Sequence, residues 1–158
     1  MSAPATDIGY GKAEVTIVRT IAAPRDLVFK MWIDPVHLAQ WWGPDCFTNP
    51  VCEVDARPGG KFRIVMRAPN GNEHPMVGEY REIVAGERLV FTSRAVDNDG
   101  NPLLEGQTTV TFEDDGGQTR LTVHSTAVGL AAVAPQMLAG MEAGWTQTVE
   151  RLVAHAER

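Results

Sequence analysis

The sequence predicts an α+β domain in which an antiparallel sheet of about seven strands packs against one long C-terminal helix. Three observations carry this. Short runs with strand character follow one another, separated by turn chemistry at Gly59-Gly60, Asn70-Gly71, Gly86, Asp99-Gly100-Asn101-Pro102 and Asp114-Asp115-Gly116-Gly117. Between the first strand and the others, Pro24 and Pro35 each suit the first turn of a short helix. At the end, Met137/Leu138, Met141, Trp145, Val149 and Leu152/Val153 form an apolar stripe with helical spacing.

Ala13 to Thr20 reads as the first strand. Leu27, Val28, Met31 and Trp32 give the first helix its apolar face. Asp34 is a good N-cap for the second, whose apolar residues are Leu38, Trp41 and Trp42 and which Gly43-Pro44 stops. A strand over Phe47 to Ala56 leads into Asp55-x-Arg57-Pro58-Gly59-Gly60, read as a tight hairpin with an Asp–Arg contact that sets the register of two central strands. It lacks the G-x-x-x-x-G-K-[ST] pattern of a phosphate loop and precedes a strand, not a helix. Lys61 to Arg67 alternates, with Phe62, Ile64 and Met66 on one face, and Arg120 to His124 places Leu121 and Val123 inward. Arg88 to Thr92 and Thr108 to Phe112 are rich in β-branched and aromatic residues. The last helix is expected as one piece from Pro135 to Glu157, because its stripe can be buried only against the sheet.

The chain has 158 residues, 44% hydrophobic and 22% charged, which excludes disordered and low-complexity classes. One domain over 13–158 is expected, with 1–12 as a flexible arm. Asp and Glu total 20 against 14 Lys and Arg, for a net charge of -6 without any basic run. Nucleic acid and anionic membranes are therefore not expected partners. No apolar stretch approaches the roughly 20 residues of a membrane span. The N-terminus has no basic segment followed by an apolar core, so a cytoplasmic location is expected. Cys46 and Cys52, separated by a strand, are expected as free thiols.

The run Ala23-Pro24-Arg25-Asp26-Leu27-Val28-Phe29, followed by Asp34-Pro35-Val36-His37-Leu38-Ala39-Gln40-Trp41-Trp42-Gly43-Pro44, resembles the activator-of-heat-shock-protein-90-ATPase-like family. Asp55-Ala56-Arg57-Pro58-Gly59-Gly60-Lys61-Phe62 and Gly144-Trp145-Thr146-Gln147-Thr148-Val149-Glu150-Arg151-Leu152 continue the resemblance in the family's order. It covers nearly all of the chain after residue 12. The resemblance implies the helix-grip fold of the START-like superfamily, with a curved sheet gripping the C-terminal helix around an apolar cavity. It implies no single function, since superfamily members include co-chaperones, lipid or hormone binders and polyketide cyclases. Co-chaperone members carry a further N-terminal domain where this chain has a short arm, which places a chaperone partner behind the expected function, binding of a small hydrophobic or amphipathic ligand in the cavity between the C-terminal helix and the sheet.

Within such a cavity the candidate lining is Trp41, Trp42, Phe62, Ile64, Met66, Met76, Tyr80, Phe91, Met137, Met141 and Trp145. Flexible thioethers suit variable apolar shapes, although Met also fills core gaps and large aromatics are mostly buried for packing. Gly140 and Gly144, one helical turn apart, each cost a helix about 1 kcal/mol relative to Ala. They imply either close helix–sheet approach or space beside the helix for a ligand. Should the protein be an enzyme of cyclase or hydrolase type, Glu53, His74 and Tyr80 are its acid–base candidates. His37, His124 and His155 are expected mostly in solvent, and no metal or nucleotide signature is present. A homodimer is compatible with these readings, and nothing in the sequence specifies one.

Overall fold

The computed structural model describes residues 10–158; the first nine residues of the expected arm lie outside the described residues. Seven strands form one antiparallel sheet: β1 (Lys12–Ile21), β2 (Thr48–Val54), β3 (Lys61–Arg67), β4 (Glu73–Val84), β5 (Arg88–Val96), β6 (Pro102–Asp115) and β7 (Gln118–Gly129). Their order is β1-β7-β6-β5-β4-β3-β2, so six consecutive strands meander across the sheet and β1 closes beside the last of them. The crossing from β1 to the far edge is made by α1 (Arg25–Ile33) and α2 (Pro35–Trp41). Gly11, next to β1, accepts a hydrogen bond from the Gly129 N–H at 2.8 Å.

Helices α1 and α2 start where their prolines allow. Pro24 occupies the N-cap of α1, where no amide donor is missed. Asp34 ends α1 and caps α2, its carboxylate accepting from the Val36 N–H at 2.9 Å ahead of Pro35. Two details depart from the sequence reading. Leu27 is 37% exposed, and Phe29 takes the inward place on α1. Trp42 lies just beyond α2 in extended conformation, its backbone N–H capping the helix on the Leu38 carbonyl.

The C-terminal helix is not one piece. It divides into α3 (Ala134–Ala139) and α4 (Met141–Ala156). At Gly140 the backbone closes a tight turn, the amide donating to the Met137 carbonyl at 3.2 Å, before α4 begins. Glycine is the weakest non-proline helix former, and the stripe survives because both pieces face the sheet. Val149 and Leu152 of α4 are wholly buried. The helix is tied down at its far end by Glu157, which accepts from the Ala22 N–H at 2.8 Å, and by Glu150, which pairs with Arg19 of β1 at 2.6 Å.

The 55–60 turn carries the expected ion pair, Arg57 Nε to Asp55 Oδ2 at 2.8 Å. The strands it joins are β2, an edge of the sheet, and β3, not two central ones. Sequence neighbours in a meander need not be central, and only the position of β1 decides which strands lie inside. Both cysteines are free.

Candidate functional site

Three rows of inward-facing side chains cross β5, β6 and β7, and their sizes decide where the interior is solid. In one row Leu89 faces Val110 and Val110 faces Val123, all essentially without exposure. In the next, Phe91 faces Thr108 and Thr108 faces Ser125. In the third, Ser93 faces Gly106 and Gly106 faces Ala127, and the row continues through Gly78 of β4. At Gly78 a Cβ would lie 2.2 Å from Phe62 Cζ, so the ring of β3 occupies that place. Elsewhere in the third row little side chain fills the space beneath the helices.

The result is a cavity of about 240 Å³ between the sheet and α3–α4. Met66 and Met76 line it from the sheet, Met137, Met141, Gly144, Trp145 and Thr148 from the helices, and Trp42, Gly43 and Pro44 from the segment after α2. At Gly144 a Cβ would meet nothing within 4 Å. Among the described residues, every lining side chain is uncharged and unable to ionise near neutral pH.

The segment after α2 is fastened by α4. The Arg151 guanidinium donates through Nη1 to the carbonyls of Trp42, Gly43 and Pro44 at 2.9–3.0 Å, and through Nη2 to those of Gln40 and Phe47 at 3.3 and 3.2 Å. Nη1 and Nη2 carry four N–H groups between them, so the five carbonyls share these donors through at least one bifurcated bond. Gln147 accepts from the Asp45 N–H at 3.1 Å, and Asn49 Nδ2 donates to the Trp42 carbonyl at 2.9 Å. The Trp42 ring is thereby held 5.6 Å from that of Trp145.

Of the candidate lining residues, Trp42, Met66, Met76, Phe91, Met137, Met141 and Trp145 meet at this cavity. Trp41, Phe62, Ile64 and Tyr80 do not. Trp41 is buried in the core with its indole N–H donating to the Met31 carbonyl at 3.0 Å. Phe62, Ile64 and Tyr80 surround a separate void of about 10 Å³ behind Trp42 and Phe91. Ser93, Ala95, Leu104, Gly106, Ser125, Thr126, Ala127 and Thr148 also line the cavity, and sequence reading overlooked them. Inward alternation from Phe91 and Val123 marks Ser93 and Ser125, but their alignment depends on register.

The three acid–base candidates are not brought together. Glu53 alternates with inward Cys52 and Val54, so it is exposed on the opposite face of the sheet. His74 is exposed at the start of β4, its ring 6.0 Å from Phe47. Tyr80 alone is buried, and burial, with the Cys52 thiol nearby, pushes its phenol far up, which keeps it protonated. Burial likewise pushes the Cys52 thiol up to about 11, leaving it a poor nucleophile. His37 and His155 were expected mostly in solvent; α2 and α4 place His37 Nδ1 3.1 Å from His155 Nε2. His124 binds Glu14 across β7 and β1.

A larger hollow, about 720 Å³, lies on the other face of the sheet. Its walls are half-exposed charges, including Arg94 paired with Glu105 at 3.3 Å and Arg81 with Glu79 at 3.7 Å. Such pairs are well solvated and make a polar outer surface, whereas the smaller inner cavity has the apolar lining of a ligand site. Among the described residues no three His, Cys, Asp or Glu converge as metal ligands. No helix among them is long and apolar enough to cross a membrane.

Residues 22–157 match the family described as activator of Hsp90 ATPase homolog 1-like protein. A solved structure of a Chromobacterium violaceum protein is 30% identical with a TM-score of 0.76, covering 92% of this chain and 97% of that one. An Arthrobacter aurescens protein solved by NMR is 27% identical with a TM-score of 0.77, covering 90% and 85% respectively. A Nitrosomonas europaea protein is 25% identical with a TM-score of 0.72, covering 94% and 95%. No curated protein matches the chain.

Proposed function

The chain belongs to the activator of Hsp90 ATPase homolog 1-like family, and on that premise we propose that it binds one small, uncharged, largely apolar molecule between α3–α4 and the sheet. The carrying observation is the cavity itself, about 240 Å³ with no ionisable side chain among its described lining residues. An apolar cavity of about 150 Å³ takes up benzene, so this one suits a molecule of one or two fused rings and is short for an extended lipid chain. The chemistry of the lining favours binding over catalysis. Acid–base work needs titratable groups at the reacting atoms, and Glu53 and His74 lie outside while Tyr80 stays protonated in the core. The ATPase activation in the family's name would need a partner-facing surface; the property argued for here is interior.

Trp42 and Trp145 line the cavity, so intrinsic fluorescence reports on its occupancy. Titration with neutral one- and two-ring compounds, such as indane, 1-indanone and naphthalene, is expected to give a saturable change. Aliphatic acids of lipid length are expected to give none. A folded protein that shows no saturable response to any of the small rings overturns the proposal.

A further inference from the structure

We propose that the ligand of this cavity carries a hydrogen-bond acceptor, such as a ketone, aldehyde or ester carbonyl, and that the Ser125 hydroxyl donates to it. The inference rests on the cavity-binding reading above and narrows its ligand class. Thr108 and Ser125 face each other across β6 and β7, 1% and 4% exposed, with their hydroxyl oxygens 2.8 Å apart. Two hydroxyls bring two O–H donors, and the bond between them uses one. Neither hydroxyl makes a second hydrogen bond among the described residues. One O–H donor therefore remains for an acceptor in the cavity.

Its position follows from which hydroxyl reaches the cavity. Ser125 lines it and Thr108 does not. When Thr108 donates to Ser125 Oγ, the Ser125 proton is the free one and serves the cavity. Thr148, on the helix wall, already donates to the Gly144 carbonyl at 2.8 Å and brings no competing proton. Ser93 stands on the neighbouring inward row, with Gly106 between it and Ala127, so a carbonyl at Ser125 has room and a second hydroxyl within the same lining. The absence of any ionisable group in the described lining leaves a neutral acceptor, not a carboxylate, as the matching chemistry. Thr108 is then a positioning residue that sets the direction of the Ser125 proton.

The test uses two probes of nearly the same shape, 1-indanone with a carbonyl and indane without one. Thr108→Val combined with Ser125→Ala removes both hydroxyls while keeping the buried shape, and replacing both partners avoids leaving one orphaned. The double variant is expected to bind 1-indanone about three- to tenfold more weakly, the range of one net hydrogen bond. Its affinity for indane is expected to stay within about twofold of wild type. A second measurement needs no variant: the infrared carbonyl stretch of 1-indanone bound to wild-type protein is expected at lower wavenumber than in hexane. Equal changes for both probes, or no change for either, overturn the proposal, as does a bound carbonyl stretch at its hexane position. Wild-type protein that binds neither probe overturns the cavity reading as well, which separates the two failures.

Discussion

The two ends of the helix–sheet interior are built from the same strands and the same helix, yet one is solid and the other hollow. At the solid end Leu89, Val110 and Val123 share one buried core with Val149 and Leu152 of α4, while Trp32 is packed by Trp41 at 4.7 Å and by Phe112 at 6.5 Å between ring centroids. Two residues further along each strand the inward positions become Phe91, Thr108 and Ser125, then Ser93, Gly106 and Ala127. Helix α4 changes in step, from Val149 and Leu152 to Gly144 and Met141. The contrast teaches that the cavity follows from side-chain volume along aligned rows. The backbone grips the helix at both ends, and only one end is filled.

Substitutions that exchange the characters of the two ends test this, and the largest effect is expected at the solid end. Leu152 is wholly buried, so Leu152→Ala should cost about 2–5 kcal/mol, read as a lower denaturant midpoint. Its effect on 1-indanone affinity, measured under conditions where the variant stays folded, should be small. At the hollow end the opposite pattern is expected. Gly144→Leu places a side chain where a Cβ meets nothing within 4 Å, and it should weaken probe binding about tenfold or more by taking up the space the probe would fill. The same change should raise stability by up to about 1 kcal/mol, because glycine is a poor helix former. A Gly144→Leu protein that binds normally, or a Leu152→Ala protein that loses binding while keeping its stability, would erase the distinction between the ends.

How much of this was open to sequence reading follows from what each feature depends on. Local signals sufficed for α1 and α2, because Pro24 and Asp34-Pro35 act on adjacent backbone, and for the inward faces of β3 and β7, because alternation is a property of one strand. The break at Gly140 was hidden by the stripe, which continues from Met137 to Met141 across it. Alternation could also have placed Glu53 outside, opposite Cys52. The cavity floor was out of reach for a different reason: Ser93, Gly106 and Ala127 lie on three strands and become one row only once register is known. Arg151 was unreadable in a stronger sense, since all five of its acceptors are backbone carbonyls. Carbonyls belong to every residue and leave no mark in a sequence.

That clamp joins the two ends, because Arg151 stands next to Leu152 and two residues from Val149 on α4 while holding the Trp42–Pro44 wall of the cavity. Arg151→Met keeps the stem and removes the donors, and should cost about 1–3 kcal/mol as the carbonyls lose their partner. Hydrogen exchange at the amides of Asp45 and Phe47 should accelerate relative to amides of β6. Unchanged exchange there would show that Gln147 and Asn49 hold the wall without the guanidinium.

The smallest effect is expected where α4 meets α2, at His37 and His155. Burial, then the neighbouring His37 and Arg158, hold His155 below its ordinary pKa of 6.5, and its Nδ1 is buried without a partner among the described residues. A group whose pKa is lowered by folding binds its proton more readily in the unfolded chain. The stability it contributes is therefore present above about pH 6.5 and is lost as the pH falls through its lowered folded value. Melting temperature should decline between neutral pH and pH 5, and His155→Phe should flatten that decline by removing the titrating ring. The ring contact at 3.1 Å requires one nitrogen to donate and the other to accept, which a doubly protonated pair cannot do. A wild-type decline that His155→Phe leaves unaltered would place the pH response elsewhere in the molecule and leave the α2–α4 junction insensitive to acid.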